Sequence, residues 1–249
     1  MSQNKPKKTR LDLAVFERGH TESREKARAL IMAGAVYVNG QKQLKAGTNV
    51  TEDDVIEVRG EKMPYVSRGG LKLEKAMKTF GLRLDGCICA DIGASTGGFT
   101  DCMLQNGASK VYAVDVGYGQ LAWKLRSDER VINMERTNVR YVTPEQLGEQ
   151  LDLSVIDVSF ISLKIVLPVI KTFLKPTGQV LCLIKPQFEV PRDIAARANG
   201  VIRSSQWHDY SIKRVVDAFA EHGFTNCGVI TSPVHGGSGN TEFLAYFNC

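Results

Sequence analysis

The stretch "DIGASTGGFTD", residues 91–101, lies between two apolar runs and can be interpreted in two incompatible ways. Gly93, Ser95 and Gly97 match the pattern G-x-S-x-G, which presents a serine nucleophile in hydrolases. The same residues also form a glycine-rich loop of the kind that lies under a nucleoside cofactor. The two interpretations require different neighbours along the chain, so the rest of the sequence discriminates between them.

A hydrolase requires an acid and a histidine after the serine, and Asp157 followed by His235 satisfies that order. A nucleophile elbow, however, comes after several strands and needs an oxyanion loop upstream. Only one predicted strand of this sheet precedes Gly93, and no HGGG-like stretch lies before it. The sequence therefore favours a cofactor loop.

A cofactor loop at the end of a first strand requires an acidic residue about 20 residues further on, which holds ribose hydroxyls. Asp115 in "YAVDVG" meets that requirement. The loop has one glycine fewer than G-x-G-x-x-G, which suits a cofactor that has no pyrophosphate. The sequence predicts a nucleoside site made by this loop and Asp115.

Strands and helices alternate through the C-terminal three quarters of the chain, which predicts an α/β domain with a largely parallel sheet. We predict seven strands, near residues 87–93, 110–117, 130–135, 151–160, 179–186, 227–234 and 241–247. Helices are predicted near residues 97–106, 119–127, 143–149, 162–174 and 207–222. Only "HGGSGN" separates the last two strands, so we expect them to form an antiparallel hairpin. This pattern resembles the Rossmann-like, seven-stranded fold of S-adenosylmethionine-dependent methyltransferases.

The N-terminal fifth of the chain carries all of the excess positive charge. Residues 1–50 hold ten Lys and Arg against four Asp and Glu, and the remaining residues hold 22 against 23. The ordinary explanation of such charge is a solvated surface. A small basic domain beside a near-neutral one is also typical of a module that binds a polyanion.

A small α+β domain is predicted in this basic region. "TESREKARALIMAG" predicts a helix capped by Thr21 or Ser23, with Ala27, Leu30 and Ile31 buried and Gly34 at its end. "AVYVNGQKQ" predicts a hairpin, because Asn-Gly is preferred in tight primed turns, and "DVIEVRG" adds a strand. Arg24 and Arg28 share a face of this helix and are close in sequence to Arg10 and Lys42, so we predict that this cluster contacts RNA phosphates. The region resembles the RNA-binding domain named after ribosomal protein S4, which implies structured-RNA binding through the helix that carries Arg24 and Arg28.

Composition limits the remaining classes of protein. The 249 residues are 43% hydrophobic, yet no apolar run approaches the roughly 20 residues that cross a bilayer, so we expect a soluble, cytoplasmic protein. Six cysteines show no C-x-x-C pairing, and four lie in or beside apolar runs. We therefore expect buried, reduced thiols and no metal site.

Three charged residues fall where parallel strands end and open α/β sheets bind their ligands. Asp157 ends the run "LSVID", Lys185 follows "VLCLI", and Glu242 opens the last strand. One interpretation is that Lys185 reaches solvent and pairs with Glu189 or Asp157. The other is that burial lowers the pKa of Lys185, which then takes the proton from an alcohol that attacks a methyl sulfonium.

The motifs taken together resemble the TlyA family, which joins an S4-type domain to an FtsJ-like methyltransferase domain. The resemblance rests on "SRGGLKL", "DIGASTGGFTD", "VDVGYGQLAWKLRSD", "ERTNVR", "DVSFISL", "IKPQFEV" and "SGNTEF". It implies that the protein methylates the ribose 2′-oxygen of a cytidine in ribosomal RNA, within a ribosomal subunit. The implied cofactor is S-adenosyl-L-methionine. The resemblance also implies a catalytic tetrad: Lys72, Asp157, Lys185 and Glu242. Lys72 is selected by the motif alone, since Lys75 and Lys78 share its predicted helix.

The loop and the resemblance together give the remaining assignments. Asn138 in "ERTNVR" is expected near the adenine. The predicted cofactor residues are Asp91, Gly93, Ala94, Ser95, Gly97, Gly98, Phe99, Asp115 and Asn138. The predicted domains are residues 1–60 for RNA binding, a linker at 61–67 and the methyltransferase at 68–249.

The chain departs from the family pattern in the predicted linker. Family members often have Arg-x-Trp-Val before "SRG", whereas this chain has Met63-Pro64-Tyr65-Val66.

Three other functions compete with this interpretation. The family's older name, hemolysin, suggests a membrane-active protein, but no long basic amphipathic helix is evident. A pseudouridine synthase is suggested by "GLRLDG", although the buried run that follows makes Asp85 a turn residue. A non-catalytic, RNA-binding ribosome assembly factor could keep the same fold, and the intact tetrad argues against it.

Overall fold

The computed structural model describes residues 8–59 and 63–249, and the chain forms two compact units, Met1–Lys62 and Met63–Cys249. The first residues of the basic start, 1–7, lie outside the described residues. So do residues 60–62, where the predicted RNA-binding domain ends and the predicted linker begins.

The first unit is a small α+β fold. Its elements are, in chain order, β1 (Thr9–Arg10), α1 (Leu11–Glu17), α2 (Arg24–Met32), β2 (Val36–Val38), β3 (Gln41–Lys42), β4 (Asn49–Val50) and β5 (Ile56–Val58). β1 pairs with β4, and β2 lies between β3 and β5 in an antiparallel sheet. Leu11, Val15, Ala27 and Ile31 pack in its core, whereas Leu30 is only half-buried.

Local sequence signals account for the ends of α2 and for the hairpin. Ser23 is the N-cap of α2, and its side chain accepts a hydrogen bond from Lys26 N at 3.2 Å. After α2 the chain turns at Gly34, whose φ of +71° is accessible to glycine at little cost. Asn39 and Gly40 both have positive φ, as a type I′ turn between β2 and β3 requires.

The second unit is a three-layer α/β fold. Its first half contains α3 (Gly69–Phe80), β6 (Ile88–Ile92), α4 (Gly98–Gln105), β7 (Lys110–Val114), α5 (Trp123–Arg126), β8 (Val131–Met134), a 3-10 turn (Val139–Tyr141) and α6 (Pro144–Leu147). Its second half contains β9 (Leu151–Ile156), α7 (Leu163–Phe173), β10 (Leu174–Ile184), α8 (Pro186–Glu189), α9 (Arg192–Arg197), α10 (Ser205–Glu221), β11 (Thr225–Thr231) and β12 (Phe243–Asn248).

Seven strands form the central sheet in the order β11-β12-β10-β9-β6-β7-β8. β6 to β10 run parallel, and β12 pairs antiparallel with both β10 and β11. This confirms the predicted fold class, including the terminal antiparallel hairpin. It also confirms that β6, which precedes the glycine-rich loop, is the first strand of the sheet along the chain, as a cofactor loop requires.

The helices depart from the prediction in three places. The helix expected over 119–127 is only Trp123–Arg126, and the one expected over 143–149 stops at Leu147, where Gly148 has a φ of +74°. No helix was predicted where α8 and α9 lie, and these two helices are only four and six residues long. Pro186 and Pro191 each lie at a helix start, where a missing N–H costs nothing.

Small residues let α3 approach α4 closely. A Cβ atom on Gly98 would lie 3.0 Å from Gly70 N and 3.1 Å from Gly69 Cα. A Cβ on Gly70 would overlap the buried ring of Tyr65. The glycines of "SRGGLKL" and of the loop therefore meet face to face, and this contact places α3 above the end of β6.

Candidate active site

A cleft opens at the carboxyl ends of β6, β9 and β10, with a volume of about 310 Å³. Parallel strands end on the same edge of a sheet, so residues distant in sequence converge there. Ten of the predicted site residues line this cleft: Lys72, Asp91, Gly93, Ala94, Ser95, Gly98, Phe99, Asp157, Lys185 and Glu242.

Four of these side chains form a continuous chain of alternating charge. Lys72 Nζ lies 2.8 Å from Glu242 Oε2 and 3.8 Å from Asp157 Oδ2. Lys185 Nζ lies 2.6 Å from Asp157 Oδ1, an ion pair whose angle is poor for a hydrogen bond. Two lysines and two carboxylates balance in charge, which lets all four sit with little exposure to water.

The structure separates Lys72 from its neighbours on α3, which the sequence alone could not do. The Lys72 side chain is 11% exposed, whereas Lys75 is exposed and Lys78 pairs with Glu74 on the outer face. α3 thus carries one inward lysine and two outward ones. Position 72 is the one that reaches Glu242.

Lys185 pairs with Asp157 inside the cleft and does not reach out to solvent, since its side chain is also only 11% exposed. Glu189, the other partner considered, is buried elsewhere, where Ser162 Oγ and Leu163 N donate to it. Glu242 directly precedes β12, one residue outside the strand in which it was expected.

The glycine-rich loop turns sharply under the cleft. Gly93 has a φ of +89°, and a Cβ there would lie 2.4 Å from Asp157 O. Ser95, also at positive φ, donates its N–H to Asp115 Oδ2 at 2.7 Å. The second oxygen of Asp115 accepts from Gly117 N at 2.6 Å, so this carboxylate joins the loop to the end of β7.

Asp91 is buried at the end of β6 and has one unused oxygen. Its Oδ2 accepts from Thr100 N at 2.9 Å and Thr100 Oγ1 at 2.7 Å, and no described residue donates to Oδ1. Burial raises the pKa of Asp91 to about 7. An unpaired carboxylate oxygen on the cleft wall fits a ligand that carries an ammonium group, and S-adenosyl-L-methionine carries one.

Three predicted cofactor residues lie outside the lining of the cleft. Gly97 packs against Leu121 and Leu125, where a Cβ would clash. Asp115 lies beyond the loop, bonded as described above. Asn138 caps the 3-10 turn, where its Oδ1 accepts hydrogen bonds from Arg140 N and Arg140 Nε.

The sequence analysis missed several polar residues of the site: Ser67, Arg68 and Thr96 line the cleft, and Ser159 and Thr100 bond its charged side chains. Ser159 Oγ lies 2.8 Å from Lys185 Nζ, and Thr100 supplies both hydrogen bonds to Asp91. Ser159 could have been found from its place two residues after Asp157 in "DVSF", at the same strand end. Thr100 gave no signal, because its contact depends on the first turn of α4 folding back to β6.

The serine of the hydrolase pattern is not arranged as a nucleophile. Ser95 Oγ bonds Gln120 Oε1 at 3.3 Å, and Asp157 is held by the two lysines. His235 lines the cleft but bonds no residue that the structure describes. The acid, base and nucleophile of a triad are therefore not connected here.

In the first unit, two of the four predicted RNA-binding residues converge. Arg10 and Arg24 both contact the buried carboxylate of Asp12. Arg28 is exposed on α2, and the side chain of Lys42 lies over Gly34.

The described residues contain neither a membrane-spanning helix nor a metal-binding cluster. No helix in residues 8–59 or 63–249 is long and apolar enough to span a membrane. Within the same ranges, no group of three or more His, Cys, Asp or Glu residues is placed to hold a metal ion.

All six cysteines are free thiols. Cys89, Cys102 and Cys182 are buried as expected, whereas Cys227 and Cys249 are exposed.

Comparison with known proteins places both units in families. The model of the FtsJ-like methyltransferase family matches residues 65–249, and that of the S4 domain matches residues 9–56. The chain is 50% identical to YqxC of Bacillus subtilis, provisionally named an rRNA methyltransferase, over 97% of this chain and 86% of that protein. It is 41% identical to the 16S/23S rRNA (cytidine-2′-O)-methyltransferase TlyA of Mycobacterium tuberculosis, over 96% and 90% respectively.

A solved structure gives the same result for the fold. A Streptococcus thermophilus protein, provisionally named a hemolysin, superposes with a TM-score of 0.77 at 46% identity and covers 98% of this chain and 89% of that one. With the two family matches and a full-length relative of this identity, the chain belongs to the TlyA family, which carries an S4 domain ahead of an FtsJ-like methyltransferase domain.

Proposed function

We propose that this protein transfers a methyl group from S-adenosyl-L-methionine to the ribose 2′-hydroxyl of a cytidine in ribosomal RNA, within a ribosomal subunit. The observation that carries the proposal is the chain of alternating charges Lys72, Asp157, Lys185 and Glu242 at one end of the sheet. The name of the Mycobacterium tuberculosis relative supports the acceptor and the position of the methyl group. Ribosomal subunits place the reaction in the cytoplasm.

The cofactor is held, in this proposal, by the glycine-rich loop and the strand ends beside it. Asp91 Oδ1 receives the ammonium group of the cofactor's amino acid part, since no described donor occupies it. Asp115 takes ribose hydroxyls through its remaining lone pairs, and Asn138 lies near the adenine. When bound, S-adenosyl-L-methionine supplies a methyl group on a positively charged sulfur.

Lys185 is the proton acceptor for the attacking 2′-hydroxyl. Its Nζ donates a hydrogen bond to Ser159 Oγ at 2.8 Å and forms an ion pair with Asp157 Oδ1 at 2.6 Å, and these two contacts position the amine. The methyl–sulfur bond of the cofactor would break as the ribose oxygen takes the methyl group, leaving a neutral thioether, and Lys185 Nζ would take the 2′-hydroxyl proton. Orientation of this kind supplies up to about 7 to 11 kcal/mol of a reaction barrier.

Lys72 and Glu242 complete the alignment. Glu242 is buried and holds Lys72 at 2.8 Å, and Lys72 in turn faces the second oxygen of Asp157. Asp157 thus lies between the two lysine side chains, and these contacts fix the carboxylate that orients Lys185. RNA recognition is assigned to the domain of residues 1–60 and catalysis to residues 68–249, joined by the linker at 61–67.

The test is methyl transfer with radiolabelled S-adenosyl-L-methionine and separated ribosomal subunits. Subunits purified from cells that lack the modification should accept label, and subunits that already carry it should not. Cofactor binding without transfer to either unmodified subunit would contradict the proposal and favour an assembly factor that keeps the fold.

A further inference from the structure

We propose that Asp12 is a positioning residue for RNA binding: its buried carboxylate holds Arg10 and Arg24 in one fixed orientation, with the remaining N–H groups presented to RNA phosphates. The inference rests on the proposed function, in which these two arginines contact RNA. It assigns a role to an acidic residue inside a basic RNA-binding region.

Two arginines from separate elements meet at this carboxylate. Arg10 Nε lies 3.0 Å from Asp12 Oδ1, and Arg10 Nη2 lies 3.1 Å from Oδ2. Arg24, from the first turn of α2, places Nε and Nη2 at 3.1 and 3.0 Å from the same Oδ2. Leu13 N also donates to Oδ1. The carboxylate thus links β1, α1 and α2.

The burial of the three groups is unequal. The Asp12 side chain is 1% exposed, whereas those of Arg10 and Arg24 are 52% and 49% exposed. The hydrogen bond from Arg10 holds the pKa of Asp12 below its usual range, so the carboxylate stays ionised. The carboxylate is hidden from solvent while both cations remain accessible.

Each arginine keeps donors that Asp12 does not use. A guanidinium has five N–H donors in a rigid fork, and each arginine directs Nε and Nη2 to the carboxylate. The Nη1 donors of both remain free, since no other described residue accepts from them. A rigid fork with free donors matches the oxygens of a phosphate.

Asp12 affects RNA affinity in two opposite ways. It orders the two arginine side chains before binding, which strengthens the complex, and its negative charge weakens the attraction to phosphates, which we expect to be the smaller effect. An arginine that is free in solution loses rotamer freedom when it binds, and this loss weakens the complex. Asp12 orders both side chains in advance, at the cost of reducing the charge of the trio from +2 to +1. Ordering two such side chains corresponds to about tenfold in affinity.

The test is a substitution for which charge and positioning predict opposite results. Asp12→Asn removes a negative charge from a basic region, so electrostatics alone predicts tighter binding to RNA. Positioning predicts binding about tenfold weaker, because a neutral amide no longer holds two cations. The matched control is Asp53→Asn, since Asp53 is exposed and bonds no described residue. This control should bind RNA as tightly as wild type or slightly more tightly.

Affinity would be measured with the full chain and each unmodified ribosomal subunit separately, and thermal unfolding would be followed for each variant. Arg24→Lys is the second variant, since it keeps the charge but cannot form a fork, and it should weaken binding in a protein that unfolds normally. Binding by Asp12→Asn that is as tight as wild type or tighter would overturn the inference. Wild-type affinity in Arg24→Ala would instead contradict the proposed RNA contact itself.

Discussion

Lys185 is the residue on which the proposed chemistry depends most directly. Lys185→Ala should reduce methyl transfer by a factor of about 100 or more, in the range of a lost general base. Cofactor affinity should stay within about twofold of wild type, because Lys185 is proposed to meet the acceptor hydroxyl rather than the cofactor. Lys78→Ala, on the outer face of α3, is the matched control and should retain activity. Equal losses of cofactor binding and transfer in Lys185→Ala would show a structural role.

Asp91 gives the site a pH dependence with a definite sign. Its pKa in the folded protein is about 7, above the ordinary value of 3.8, because burial disfavours the charged form. The folded state therefore holds this proton between about pH 4 and pH 7, and the stability that the group contributes falls as pH rises through that window. A cation bound at Oδ1 prefers the ionised carboxylate, so cofactor affinity should change in the opposite direction.

Calorimetric titration at two pH values tests this sign. The ionised fraction of Asp91 rises about fivefold from pH 6 to pH 7, and affinity for S-adenosyl-L-methionine should rise by about the same factor. Asp91→Asn should bind more weakly and lose this dependence. A wild-type slope that persists in Asp91→Asn would assign the pH dependence to another group.

At the scale of elements, the approach of α3 to α4 holds Lys72 over the sheet. In Gly98→Ala the new Cβ would meet the backbone of α3 at 3.0 Å, and it would overlap Ser67 Oγ. We expect the free energy of unfolding to fall by about 1 to 3 kcal/mol, as overpacking does, and methyl transfer to fall with it. Chemical denaturation would measure the first effect. Gly237→Ala, where a Cβ meets nothing within 4 Å, should leave stability unchanged and serves as its control.

The elements that could be predicted from sequence are those with a local signal. The seven strands followed from apolar runs, and the hairpin in the first unit followed from Asn39-Gly40. α8 could not be predicted, because four residues starting at Pro186 carry no helical periodicity. It forms because the chain must turn back from Lys185, the end of a buried strand.

The same limit applies to the candidate site. Asp157 and Lys185 could be found from their places at strand ends, but the choice of Lys72 over Lys78 depended on a family resemblance. Only the packing of α3 against α4 distinguishes their faces. The role of Asp12 had no sequence signal, since it depends on two helices that meet in three dimensions.

Considering the whole molecule, we propose that the basic N-terminal region binds RNA and that the near-neutral second unit catalyses methyl transfer. Arg24→Ala combined with Arg28→Ala should weaken binding to ribosomal subunits and reduce the slope of log affinity against log salt by about 1 to 2, since up to two phosphate contacts are lost. Affinities measured between 50 and about 200 mM salt would give this slope. An unchanged slope would remove both arginines from the phosphate contacts.

The proposed reaction leaves its new methyl group on a ribose 2′-oxygen. The most direct measurement is nuclease digestion of labelled, previously unmodified ribosomal RNA, followed by chromatography of the nucleosides. We predict label in 2′-O-methylcytidine, from one or both ribosomal subunits. Label on a base, or an isomerised uridine without a methyl group, would contradict this prediction.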